Sequence, residues 1–357
     1  MSTSSVMRLM RAPGGRRTSV RRRAWTTLKL TAMVVGLAFA VGACGDSSSG
    51  GSGSSGGGGV EGKTINFVGY GNDNPWGAYF NKVFNAKLKP EGAKVVDLTT
   101  MDPGAAVTNF NQAIANKPDL IVVALLDPAS MVVPIKKAKQ AGIPVLVYDG
   151  RPDPSVDGDV RQVLSDSEAL GTAAAQNLVE GLKAQGRREG NIIVITGTKS
   201  GYSSQDRMKG FDAEIGKSPS FKVIDTQDGN WDPALTGKIA TQLFAKYGCS
   251  GIQGAYGMAD YMAVAIIASA KQAGCAVGGK KGLIVTGSNC FKAGIDAISA
   301  GTLYGTATED PGTIAEQTAK YVTRFFSADK PEMTELVKEE RVTAKNLAQY
   351  KAQCSKA

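Results

Sequence analysis

The sequence contains no histidine among its 357 residues. Histidine is the general base of Ser-His-Asp and Cys-His nucleophile systems and a common zinc ligand, so its absence excludes these catalytic and metal sites. Cysteine is scarce: five are present, without a Cys-x-x-Cys motif, which argues against redox and zinc functions. No spacing of carboxylates singles out an acid–base pair. We therefore predict a protein without enzymatic activity, without a cofactor and without a bound metal.

Beyond residue 43 the chain has little net charge. Residues 1–43 contain seven Arg and one Lys and no acidic residue, so the remainder carries 33 basic and 32 acidic side chains. A nearly neutral body lacks the basic surface that nucleic-acid binding requires. We therefore exclude nucleic acid as a partner.

The N-terminal segment has the order of a secretory signal. Arginine pairs precede the apolar run Leu30–Val41, which is too short to span a bilayer comfortably. Small residues then lead to Cys44, and this arrangement resembles the lipobox of bacterial lipoproteins. The resemblance implies that residues 1–43 are a signal peptide and that lipidated Cys44 anchors the protein to the outer face of the cell membrane. The arginine pairs leave both Sec and twin-arginine export open.

Residues 44–59 are mostly Gly and Ser, a composition typical of a flexible tether. From Val60 onward, strand and helix patterns alternate, pause in a loop near Pro152, and then resume. Such alternation predicts parallel sheets covered by helices on both faces. The fold class is therefore α/β, with two similar doubly wound domains and a ligand cleft between them.

One strand prediction carries the first candidate site. The apolar run Ile143–Asp149 reads as a buried strand, and it ends at Asp149-Gly150-Arg151. Ligands of open α/β sheets bind outside the carboxyl ends of the strands, so this carboxylate and guanidinium are candidates for binding hydroxyl groups. The alternative is a surface turn closed by Gly-Arg-Pro.

From about Val60 to Val342 the chain resembles the type I periplasmic sugar-binding proteins of the ribose-binding group, the solute receptors of ABC importers. The matching segments are unspecific one by one, but they follow the family's order over nearly the whole mature chain. They are Asn72-Asp-Asn-Pro-Trp76, Pro118–Val123 with Asp127-Pro128, Ala141–Val145, Ser204–Phe211, Ala259–Ala263 and Thr306–Pro311.

The resemblance implies a three-strand hinge, with the helix from Pro311 returning to the first domain. The implied domains are residues 60–163 with 310–337 and residues 164–309 with 338–357. It also implies a monomer that closes on a monosaccharide or small polyol and delivers it to an ABC permease.

Segment by segment, the resemblance places nine residues around the cleft. Charged planar groups would bind the hydroxyls and aromatic rings would cover the faces of a sugar. The residues are Asn74, Trp76, Asp149, Arg151, Arg207, Trp231, Asp260, Asn289 and Glu309.

Simpler explanations exist for several of these residues. Asn74 could serve as a helix cap alone, the two tryptophans could belong to the core, and Arg207 and Asp260 could be surface charges.

The chain also departs from the family pattern at four positions. Arg151 comes one residue later than the family's Asp-Arg pair, and Ala259 replaces an expected Asn. Asn289 stands where Asp is usual, and Glu309 where Gln is common. These departures leave the identity of the sugar open.

Two other functions stay open at this point. A sensor co-receptor that presents a nucleoside or a furanosyl signal would have the same features as an importer subunit. A secreted NAD-binding oxidoreductase is the weaker alternative, because Gly69–Asn74 begins like a dinucleotide fingerprint but has Asn74 in place of the third glycine.

The four remaining cysteines are disulfide candidates, because an even number in an exported protein favours bridges. They are Cys249, Cys275, Cys290 and Cys354. Three pairings are possible, and Cys249 with Cys275, which flank one strand–helix unit, is the pairing we favour.

Overall fold

The computed structural model describes residues 59–356. The predicted signal peptide 1–43, the lipidation site Cys44 and the tether up to residue 58 lie outside the described residues. Within residues 59–356, no helix has both the length and the apolar character needed to cross a membrane.

Strands and helices alternate along the described chain. The strands are β1 Thr64–Val68, β2 Lys94–Asp97, β3 Leu120–Val123, β4 Val145–Asp149, β5 Arg161–Ser165, β6 Gly190–Thr196, β7 Phe221–Asp228, β8 Gly254–Gly257, β9 Ile284–Thr286, β10 Gly305–Ala307, β11 Thr334–Val337 and β12 Arg341–Thr343. The helices are α1 Pro75–Leu88, α2 Pro103–Ala115, α3 Pro128–Gln140, α4 Ser167–Ala184, α5 Tyr202–Ile215, α6 Pro233–Gly251, α7 Asp260–Gln272, α8 Lys292–Ser299, α9 Pro311–Phe326 and α10 Leu347–Cys354.

The strands form two six-stranded sheets. The first has the order β11-β5-β4-β3-β1-β2, and the second has the order β12-β10-β9-β8-β6-β7. All neighbouring pairs are parallel except β10 with β12, which is antiparallel. We call each sheet with its helices a lobe. The predicted α/β fold with two doubly wound sheets is confirmed.

Each sheet is buried on both faces, as the nearly continuous apolar strands require. In the first lobe, one face of the sheet packs with Phe80 and Phe84 of α1 and with Ile314 of α9, and the other packs against α2 and α3. In the second lobe, α6, α7 and α8 cover one face and α4 and α5 cover the other. Helix α9 thus returns to the first lobe, as the family resemblance implies.

The chain crosses between the lobes three times. The first connection joins β5 to α4 at Asp166, the second joins β10 to α9, and the third joins β11 to β12. These crossings form the predicted three-strand hinge. The residue bounds of the two domains stay a prediction.

Asx-Pro pairs start five of the ten α-helices between residues 59 and 356. Proline suits the first helical position, and the preceding Asn or Asp accepts hydrogen bonds from free backbone N–H groups in four of these helices. The pairs lie at positions 74–75, 102–103, 127–128, 232–233 and 310–311. Because each pair follows a strand, polar side chains collect at the carboxyl edges of the sheets.

The N-cap of α4 differs from the one that the local sequence favours. The spacing of Ser165 and Glu168 suggests a capping box, but α4 is capped by Asp166, whose carboxylate accepts from the N–H of Ala169 at 2.9 Å. Ser165 instead ends β5 and donates its hydroxyl to Asp149 at 3.2 Å.

Two disulfides lie in the second lobe. One joins Cys249 to Cys275, with 5.2 Å between their Cα atoms, and the other joins Cys290 to Cys354.

Candidate ligand-binding site

A cavity lies between the lobes, where the carboxyl ends of the strands face one another. The space between its walls, part of which is open to solvent, is about 340 Å³. Its walls are Tyr70, Asn74, Trp76, Met101, Asp149, Ser203, Arg207, Trp231, Tyr261, Asn289 and Glu309. Seven of the nine residues predicted from the sequence are among them.

Asn74 and Trp76 come from the start of α1. The side-chain oxygen Oδ1 of Asn74 caps the helix by accepting from the N–H of Gly77 at 3.0 Å. Its amide also crosses the cleft and donates to the backbone oxygen of Trp231 and to the hydroxyl of Tyr261, both at 3.3 Å. Asn74 is therefore a helix cap and an interlobe contact at once.

Trp76 is a core residue as well as a wall of the cavity. It is 5% exposed and stacks on Phe80, with ring centroids 5.3 Å apart. Tyr70 meets it edge to face at 5.5 Å. The core interpretation and the site interpretation of Trp76 are thus both compatible with its position.

Asp149 ends β4 and presents a buried carboxylate. Its backbone is left-handed, with φ of 70°, a conformation that is uncommon outside glycine. The carboxylate accepts from the Tyr70 hydroxyl at 3.0 Å and from the Ser165 hydroxyl at 3.2 Å. These two donors leave further lone pairs of the carboxylate available to a ligand.

A buried ion pair forms the polar wall of the second lobe. Arg207 on α5 donates to Glu309 at 2.7 Å and to the backbone oxygen of Met258 at 2.6 Å. Both side chains of the pair are almost fully buried. The amide of Asn289 also donates to the Glu309 carboxylate.

Burial raises the pKa of Glu309 well above its ordinary value, and the neighbouring Asp149 adds to this increase while Arg207 opposes it. Burial acts to lower the pKa of Arg207, but Glu309, Tyr256 and Asp149 together outweigh it and keep the Arg207 pKa above its ordinary value. The guanidinium therefore stays charged inside the protein.

Trp231 closes the second-lobe side of the cavity. It follows β7 in a left-handed conformation, with φ of 55°, and the Arg207 guanidinium lies 5.1 Å from its ring centroid. A Cβ atom on Gly197 would lie 1.9 Å from the indole. Glycine at this position is what allows the ring to pack against the backbone that follows β6.

Three polar atoms of the wall lack a hydrogen-bond partner within the described part of the chain. They are Nε1 of Trp76, Nε of Arg207 and Oδ1 of Asn289, two donors and one acceptor. Buried polar groups normally have partners, so these three atoms remain available for hydrogen bonds with water or with a polar ligand.

The family model described as periplasmic binding protein domain matches residues 65–331, which is more than half of the chain. The chain belongs to the periplasmic binding protein family. The family resemblance predicted from the sequence is thereby confirmed.

Curated relatives are moderately similar to this binding protein. The galactofuranose-binding protein YtfQ of Escherichia coli (strain K12) is 28% identical over 63% of this chain and 70% of that protein. The D-apiose import binding protein of Paraburkholderia graminis is 24% identical over 73% of this chain and 81% of that protein.

Solved structures share the fold. A crystal structure of a galactofuranose binding protein has a TM-score of 0.75 at 19% identity and covers 82% of this chain and 98% of that one. The Caulobacter myo-inositol binding protein bound to myo-inositol has a TM-score of 0.73 at 17% identity, with 80% and 95% covered.

Arg151 is not part of the cavity wall of this binding protein, contrary to the prediction. The side chain makes two hydrogen bonds to Asp206 on α5, at 2.7 Å and 3.0 Å. The additional residue between Asp149 and Arg151 places the guanidinium on the rim of the cleft instead of inside it.

Asp260 is also buried away from the cavity. Its carboxylate accepts from the N–H of Phe291 at 2.9 Å and from the Thr306 hydroxyl at 2.6 Å, so it ties the segments after β9 and within β10 to the start of α7. Burial raises the pKa of Asp260 to about 7, although these two hydrogen bonds act to lower it. Its neighbour Tyr261 reaches the cavity in its place.

Four wall residues were not predicted. Tyr70 lies two residues after β1, and Tyr261 is the second residue of α7 and falls within the matched segment Ala259–Ala263. Met101 and Ser203 carry no comparable signal in the sequence. Within residues 59–356, no three Cys, Asp or Glu side chains are grouped so that they could hold a metal ion.

Proposed function

We propose that this protein captures a monosaccharide or small polyol between its lobes and delivers it to an ABC permease. It acts outside the cytoplasm, is tethered to the membrane by lipidated Cys44, and carries out no chemical reaction on its ligand. The proposal treats it as a monomer with the domain bounds predicted from the sequence.

The observation that carries this proposal is the pairing of aromatic walls with unpaired polar atoms. Trp76 and Trp231 provide apolar surface for the C–H faces of a sugar ring. The free atoms of Trp76, Arg207 and Asn289 and the carboxylate of Asp149 provide both donors and acceptors. A sugar hydroxyl can donate and accept, so it satisfies such a mixed set.

The names of the relatives support the same class of ligand. They refer to galactofuranose and D-apiose, and the name of one structural relative refers to myo-inositol. All three are small polyhydroxylated rings. Their names describe binding or import, which supports a role without catalysis.

A ligand-screened thermal shift experiment tests the proposal. The purified protein would be heated with D-ribose, D-allose, D-galactose, L-arabinose or myo-inositol at millimolar concentration. A ligand that binds the folded state raises its stability by RT ln(1 + [L]/Kd), so a true ligand should raise the melting temperature in a saturable way. NAD would be included to test the oxidoreductase alternative.

The Asp149→Ala variant is the matched control for this screen. Removing the carboxylate leaves ligand hydroxyls unpaired in a buried site, so the thermal shift should shrink or disappear. Stabilisation by NAD with no response to any polyol would contradict the proposal.

A further inference from the structure

Charged and aromatic residues bridge the two lobes at the rim of the cleft, outside the cavity wall. Arg151, just after β4 of the first lobe, makes a two-bond ion pair with Asp206 on α5 of the second lobe. A planar guanidinium that meets a carboxylate through two parallel bonds has a defined geometry as well as a charge attraction.

Tyr202 makes two further contacts between the lobes next to this ion pair. The Arg151 guanidinium lies 4.1 Å from the ring centroid of Tyr202, also on α5, a position that favours a cation–π attraction. The Tyr202 hydroxyl donates to the Asp153 carboxylate of the first lobe at 2.9 Å. Two residues from each lobe therefore form one continuous cluster.

The backbone at Gly150 in the first lobe approaches the side chain of Ser203 in the second lobe at the same place. A Cβ atom on Gly150 would lie 2.6 Å from the hydroxyl oxygen of Ser203. The lobes are thus in direct contact at the rim, next to Asp149 on one side and Arg207 on the other. Separating the lobes would break every contact of this cluster at once.

We propose that this cluster is a latch that holds the cleft closed and slows the escape of the bound solute. The latch residues are Arg151, Asp153, Tyr202 and Asp206. They set the lifetime of the closed state without contacting the solute, which distinguishes them from the cavity residues. The effect on solute release rests on the proposed function, whereas the effect on lobe closure does not.

The latch is accessible to salt, because the Arg151 side chain is 40% exposed. Ionic strength therefore screens the attraction between Arg151 and Asp206. The solute should leave faster at about 1 M than at about 0.1 M NaCl, where the screening lengths are about 3 Å and 10 Å.

The first experiment measures solute dissociation by stopped-flow tryptophan fluorescence. The probe is the sugar of the thermal shift panel that gives the largest melting shift. Arg151→Ala and Asp206→Asn should each raise the dissociation rate by about threefold to fivefold at low salt, as expected for a partly exposed pair. Both variants should also lose most of the salt dependence.

Two matched variants separate the latch from general effects of charge. The exchange Arg151→Asp with Asp206→Arg restores an ion pair across the rim and should restore slow dissociation. Lys246→Ala removes a pair with Asp225 that lies within the second lobe, at 3.0 Å, and should leave the rate unchanged.

The second experiment needs no ligand. Small-angle X-ray scattering of the empty protein should give a larger radius of gyration for Arg151→Ala and Asp206→Asn than for the wild type and Lys246→Ala.

If sugars of the thermal shift experiment bind but dissociate from both variants at the rate of the wild type, the latch proposal is wrong while the proposed function stands. If none of the sugars binds, the proposed function fails and the scattering decides on the latch. An equal radius of gyration in all four proteins would then overturn it.

Discussion

The backbone is left-handed at three residues around the cavity, namely Asp149, Trp231 and Asn289, with φ of 70°, 55° and 93°. Each such conformation costs about 1–3 kcal/mol in a non-glycine residue and persists where the surroundings enforce it. Their concentration at one cavity indicates that the strained backbone positions these side chains, since a relaxed backbone would direct them elsewhere.

At the residue scale, Trp76→Ala and Trp231→Ala should each weaken sugar binding by about 1–3 kcal/mol. The sugar used is the one that gives the largest shift in the thermal shift experiment. Each change leaves one face of the sugar ring without an aromatic side chain against it. Cleavage before Cys44 would remove Trp25, so the mature protein keeps these two tryptophans and its fluorescence should report binding. Titrating the sugar against emission measures the loss.

Trp76 also packs in the core, so its loss should lower stability too. Trp76→Phe is the matched variant, because it keeps an aromatic face and removes the N–H. It should lose less affinity than Trp76→Ala. Unchanged affinity in both alanine variants, measured on the folded fraction, would falsify the proposed site.

At the scale of elements, one disulfide secures an interrupted helix. Helix α6 loses its helical conformation at Gly248, where φ is 68°, and Cys249 immediately after it is bonded to Cys275 beyond α7. The bridge therefore holds together two helices that cover the same face of the second sheet.

Removing this bridge should destabilise the protein. Cys249→Ala and Cys275→Ala should each lower the free energy of unfolding by about 2–4 kcal/mol, because the unfolded chain gains conformational freedom. The double variant should be no worse than either single variant. Urea unfolding measures the loss, and four titratable thiols in the native secreted protein would contradict the assignment.

The second and third hinge connections are joined by hydrogen bonds. The Thr308 hydroxyl donates to the Glu339 carboxylate at 3.2 Å, and its N–H donates to the oxygen of Glu340 at 3.0 Å. Burial raises the pKa of Glu339 to about 8, while Thr308 and Arg207 oppose it. The hinge therefore contains a carboxyl group that favours its neutral form.

This group should make stability depend on pH. An unfolded Glu has a pKa of about 4.3, so the folded state binds the extra proton between about pH 4 and pH 8. The contribution of Glu339 to the free energy of unfolding is complete below about pH 4. It falls by up to about 1.4 kcal/mol per pH unit as the pH rises, and it is lost once the pH has passed through about 8.

Glu339→Gln imitates the neutral form and should flatten this dependence. The variant should be more stable than the wild type at about pH 8.5 and equal to it near pH 4. Urea unfolding across this range is the measurement, and Glu340→Gln, on the exposed neighbour, is the control. Parallel pH profiles for Glu339→Gln and the wild type would contradict the role of Glu339.

At the scale of the whole molecule, the prediction concerns the membrane. A diacylglycerol on Cys44 should hold the mature protein in the detergent phase of a two-phase extraction, because two acyl chains give stable anchoring. Cys44→Ala should move it to the aqueous phase or leave an uncleaved precursor. Ser47→Ala in the tether is the control, and unchanged partitioning of Cys44→Ala would remove the lipoprotein prediction.

The sequence by itself determined the α/β fold and the position of the cavity at the carboxyl edges of the sheets. Both follow from local signals: apolar runs that become buried strands, and Asx-Pro pairs that begin helices at the ends of those strands. The order of the matching segments then identified the family. The terminal segments β11, β12 and α10 were not predicted as elements, because their apolar patterns are short.

The tertiary structure alone decided which polar side chains reach the cavity. Arg151 binds Asp206, 55 residues away in the chain, and Asp260 binds Thr306, 46 residues away, so neither contact is visible in local patterns. The direction of a side chain after a strand depends on one or two backbone angles and on a partner from another element. Those quantities exist only once both lobes are assembled, which is why Tyr261 and not Asp260 forms the wall.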